Sequence, residues 1–99
     1  MAARATPNTS AVVMAFAERF RSADECRGIW YRERGPLTEL WLVTDPIDLP
    51  GERHLRALGL EVSAAFRDVT VDFHILNSRL VGDDPQGLVP AGAEYHPIR

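Results

Sequence analysis

Two apolar segments, residues 28–34 and 37–44, are separated only by Gly35-Pro36. Ile29, Trp30, Tyr31 and Val43 favour extended backbone, so the pair predicts a hairpin turned at Gly35-Pro36. Ahead of it, Val12 or Val13, Phe16 and Phe20 recur at helical spacing within residues 11–21, leaving Glu18, Arg19 and Arg21 to water. Turn formers from Thr6 to Ser10 supply a start signal and a Ser or Thr cap for this helix. Behind the hairpin, Thr44-Asp45-Pro46 stops the second strand. The residue before a proline is pushed out of helical geometry, and proline donates nothing to a ladder.

A second helix is predicted from Leu49 to about Arg67, with Asp48 just ahead of it and Glu52 where the helix dipole favours negative charge. Leu55, Leu58, Val62, Ala65 and Phe66 form its buried stripe. Gly59 weakens such a helix by about 1 kcal/mol relative to alanine and so marks close packing on a sheet. Residues 69–77 then alternate, Val69, Val71, Phe73 and Ile75 against Thr70, Asp72, His74 and Leu76, which predicts a third strand with one face in the core.

The order α-β-β-α-β implies an α/β (α+β) fold: a three-stranded mixed sheet with both helices on one face. The short turn makes the hairpin antiparallel, and a right-handed crossover through the second helix sets strand three parallel to strand two. With Leu40, Leu42, Val71 and Phe73 towards the helices, Glu39, Trp41, Val43, Asp72, His74 and Leu76 share the opposite face. Residues 1–81 form the single domain. Residues 82–99 are a tail rich in glycine and proline, either an ordered wrap or a frayed arm.

The length of 99 residues leaves room for one small core. A net charge of −3 argues against nucleic acid as a bulk electrostatic partner. The lone Cys26 cannot form an internal disulfide, and no run reaches the roughly 20 apolar residues of a membrane helix. Residues 1–7 carry Arg4 without an apolar leader behind it, so the expectation is a cytoplasmic protein with no membrane partner.

The helix, the strand Leu37-Thr38-Glu39-Leu40-Trp41-Leu42-Val43, the long helix and the strand Val71-Asp72-Phe73-His74-Ile75-Leu76 resemble the small nucleotidyltransferase-like domains, over roughly residues 11–80. In that family two alternating aspartates on the second strand and a carboxylate on the third hold divalent metals. The resemblance implies Glu39 and Trp41 at the aspartate pair and Asp72 at the third carboxylate, with magnesium as cofactor and a nucleotide as ligand. The chain departs from the pattern at two points. Arg32-Glu33-Arg34-Gly35-Pro36 is too short for the family's Gly-Ser phosphate loop, and an indole cannot ligate a metal.

Two readings follow. In the first, the protein is a noncatalytic binding module without a cofactor, self-associating as a homodimer or meeting a protein partner through Trp30, Trp41, Val43 and Leu76 on the open face. In the second, it is a metal-dependent nucleotide-handling enzyme, with Glu39 and Asp72 as ligands and His74 as accessory base. The other chemical candidates have plainer roles. His54 and His96 are far apart in sequence, Cys26 is a candidate nucleophile at a strand entrance where cysteine is usually a small buried hydrophobe, Arg32, Arg34 and Arg79 are either an anion site or, as is commoner, surface charges, and Asp83-Asp84 has too few oxygens for a calcium loop.

Overall fold

A computed structural model describes residues 7–82 and 85–99 of the chain. Helix α1 (Pro7–Phe20) begins ahead of the expected cap, since proline in a first turn has no needed N–H to lose and a φ already suited to the helix. Thr9 therefore lies inside the helix, its buried hydroxyl 3.0 Å from that of Thr38. Thr6, the other end of the start signal, lies outside the described residues. Val12, Val13, Phe16, Ala17 and Phe20 are buried, as the helical spacing requires.

Strands β1 (Cys26–Arg34) and β2 (Leu37–Thr44) pair antiparallel, from Arg34 opposite Leu37 to Gly28 opposite Val43. Gly35 turns the chain with φ of +58°, which a side chain would disfavour. At Arg27 the register slips and the extra residue bulges out. Its guanidinium meets both carboxylate oxygens of Asp45 at 2.7 Å, and that hydrogen-bonded pairing holds the Asp45 carboxyl below its usual range.

Helix α2 (Leu49–Ala64) is capped by Asp48, whose side chain accepts from the Gly51 N–H at 2.8 Å. It stops short of Arg67 because the last turn tightens, Ala65 and Phe66 bonding back to the carbonyls of Val62 and Ser63. Strand β3 (Thr70–Asn77) follows parallel to β2 without a register shift. The buried Asn77 amide ties its end to the β2–α2 connection, accepting from the Ile47 N–H at 3.1 Å and donating to the Ile47 carbonyl at 2.9 Å. A single turn, α3 (Ser78–Val81), comes next.

The sheet has four strands rather than three, in the order β3-β2-β1-β4. The added strand, β4 (Glu94–Pro97), comes from the tail and pairs antiparallel with β1. Four residues carry too little periodicity to announce a strand. A 3₁₀ turn at Pro85–Leu88 precedes it, while Asp83 and Asp84 lie outside the described residues. Behind β4, Ile98 packs against the core, and the Arg99 guanidinium donates to the carbonyls of Arg21, Ala23 and Cys26. Those acceptors include groups left over where α1 ends.

Both helices bury their stripes on the same face, against Ile29, Leu40 and Leu42. Three rings form the centre: Phe16 and Phe20 lie 5.3 and 5.9 Å from Phe73, and 6.1 Å from each other. Gly59 is buried against Phe73, the close helix–sheet approach that its place in the sequence predicts. Among the described residues no helix is long and apolar enough to cross a membrane.

Candidate functional site

The strand register places the helix-free face residue by residue. Tyr95, Trp30, Trp41 and His74 are direct cross-strand partners, so one row of rings runs over all four strands. Trp30 and Tyr95 lie 5.0 Å apart between ring centres, and Trp41 stacks on His74 at 5.6 Å with 14° between their planes. Such aromatic pairs add about 0.5–1.5 kcal/mol to simple burial. Gly28 makes room for this packing, because the Tyr95 ring occupies the space that a Cβ at that position would take.

The row is not uniformly exposed. Trp41 retains only 6% of its surface and Leu76 8%, whereas Trp30 and Val43 are half-buried and Tyr95 is 43% exposed. Of the four expected contact residues, Trp30 and Val43 thus keep open surface, and Trp41 and Leu76 are part of the fold. Tyr95 was missing from the expected set because β4 itself was not legible.

A second row holds the charges. Arg32, Glu39 and Asp72 are direct partners on β1, β2 and β3. One Glu39 carboxylate oxygen accepts from Arg32 Nη2 at 2.7 Å and Nε at 3.1 Å, and Arg34 Nε lies 3.4 Å away. The carboxylate is nearly buried, and both guanidinium groups point at it. Asp72 Oδ2 lies 3.0 Å from His74 Nε2, both side chains well exposed. Arg32 is the partner that sequence reasoning overlooked. A two-residue hairpin that sets Arg34 opposite Leu37 also sets Arg32 opposite Glu39, so the signal was present in the turn.

The structure brings Glu39, Asp72 and His74 onto one face, as expected. It spends the Glu39 charge on two arginines and the Asp72 acceptor on the imidazole. Among the described residues, no group of three or more His, Cys, Asp or Glu side chains could hold a metal ion. Arg79 lies beyond Asn77, at the opposite end of β2 from Arg34, so the three arginines do not form one anion site. Cys26 is fully buried, and burial, assisted by the Glu25 charge, pushes its thiol up to about 12. A thiol so held does not supply a nucleophile.

Comparison of the chain with protein families, with characterised proteins and with solved structures finds no match.

Proposed function

We propose that the protein is a noncatalytic interaction module, and that the helix-free face takes a protein partner through the exposed part of its aromatic row. The observation that carries this reading is the internal neutralisation of Glu39 by Arg32 and Arg34 beside a strip of partly open rings. Divalent metals of nucleotidyl transfer need several anionic oxygens free at one point. Here one oxygen of Glu39 and one of Asp72 are already engaged, while Trp30 and Tyr95 offer the amphipathic ring surface on which protein contacts concentrate.

Thermal unfolding with magnesium or manganese, with and without each nucleoside triphosphate, tests this reading. A ligand at a hundred times its dissociation constant would stabilise the fold by about 2.7 kcal/mol. The expected result is no such shift. A shift that needs both metal and nucleotide and vanishes in Asp72→Ala would overturn the noncatalytic reading. Light scattering on Trp30→Ala identifies the occupant of the face: a dimer that this change abolishes has a second copy there.

A further inference from the structure

The two edges of the sheet are built differently. β4 is four residues long, ends at Pro97 and follows Pro90, features that blunt pairing with another strand. β3 is eight residues long, TVDFHILN, with no proline, lysine or arginine and no bulge in its pairing with β2. It forms an end of the sheet, so among the described residues no strand pairs with its outer side. Its Val71, Phe73 and Ile75 pack against the core yet stay only half-buried. An edge of this length without proline, bulge or basic residue is a template for a further strand, provided the partner offers its one carboxylate, Asp72, a donor.

We propose that a second copy of this chain pairs antiparallel with β3 along this edge, in the register that sets Asp72 of each copy opposite His74 of the other. The argument for a second copy is the complementarity of a carboxylate, which accepts, and an imidazole, which donates and is a cation when protonated. A two-fold axis perpendicular to the sheet makes opposed side chains share a face, so the pairing must centre on one residue. Centring on Asp72 opposes two carboxylates. Centring on His74 opposes two imidazoles and leaves Asp72 facing Leu76. Centring on Phe73 sets Asp72 opposite His74 twice, and on the helix side it sets Val71 opposite Ile75 and Phe73 opposite its own copy. The half-buried apolar residues of one edge then cover those of the other. Asp72 and His74, 43% and 44% exposed and already in contact within one chain, become a closed cluster of four side chains. This pairing is independent of what occupies the helix-free face.

Sedimentation equilibrium on the full chain tests it. The wild-type protein is expected to dimerise. His74→Asp opposes Asp72 with a second carboxylate and should weaken the dimer about tenfold, because both carboxylate–imidazole pairs of the two-fold dimer become pairs of like charge. The double change Asp72→His with His74→Asp restores the carboxylate–imidazole pairs and should restore the dimer.

The register has its own test. Directly opposed strand residues have Cα atoms about 4.5–5.5 Å apart, within disulfide reach. Under oxidised glutathione, a mixture of Asp72→Cys and His74→Cys chains should therefore cross-link, and neither variant alone should do so. The buried Cys26 does not compete. A monomeric wild-type protein with no cross-link in the mixture overturns the proposal. So does a dimer indifferent to the charge changes, or one abolished by Trp30→Ala, which would move the second copy to the helix-free face and leave the interaction-module reading standing.

Discussion

Gly59→Ala sets two effects of opposite sign against each other. Replacing a helix-interior glycine by alanine ordinarily stabilises by about 1 kcal/mol through backbone entropy. At Gly59 the new Cβ would meet Phe73 Cδ2 at 2.7 Å and Cζ at 2.9 Å, with Cε2 closer still. Carbon atoms prefer about 3.5–4.0 Å, so the ring or the helix must retreat by roughly 1 Å. The ring has little freedom, because Phe20 stacks on it at 8° and Phe16 lies 5.3 Å away. Overpacking of this kind costs about 1–3 kcal/mol, so the clash wins. The expected net loss is about 1 kcal/mol, read as a Tm lower by about 4–8 °C in a domain of this size. Differential scanning calorimetry makes the measurement, and Phe73→Leu supplies the control. With the ring removed, Gly59→Ala should lose its penalty and show the helix gain, a coupling that a double-mutant cycle reads directly. A higher Tm for Gly59→Ala in the wild-type background would refute the reasoning.

Two further predictions follow from the charges and the thiol. Glu39→Gln leaves Arg32 and Arg34 without their shared carboxylate, at a cost of about 1.5–3 kcal/mol in urea unfolding, since a hydrogen bond to a charged group is worth that much; the response to metal and nucleotide should not change. For Cys26, the folded thiol titrates near 12 against an ordinary value of 9.0. The folded state therefore keeps a proton that the unfolded chain releases, and stability should fall as pH rises from about 9 towards 12. The raised Tyr31 hydroxyl acts in the same direction, so the difference between wild type and Cys26→Ala isolates the thiol. Alkylation of the native protein should be slow beside that of the unfolded chain.

Most of the α-β-β-α-β order was legible because it depends on local patterns with strong periods. The stripe of Val12, Phe16 and Phe20, the Gly35-Pro36 turn and the alternation from Val71 to Ile75 each state an element in a few residues. The turn also carried the charge pairing, since Arg34 opposite Leu37 dictates Arg32 opposite Glu39. Thr9 and Ser10 misdirected the start of α1: a capping residue type is a local preference, and Thr9 instead meets Thr38, which is remote in sequence. Of the candidate site, the grouping of Glu39, Asp72 and His74 on one face was readable from the period of two. The second arginine at the Glu39 carboxylate, Arg34, was not.

The sequence by itself determined the two long helices, the hairpin and the division of the first three strands into a core face and an opposite face, because these follow from backbone propensity and from which side chains leave water. Tertiary structure decided the fourth strand and the burial of Trp41. Both depend on contacts between distant segments: β4 is too short to form without β1 beside it, and Trp41 is stacked only because β3 brings His74 alongside. Local patterning specifies which surfaces must be buried, and the geometry of assembly selects which groups bury them.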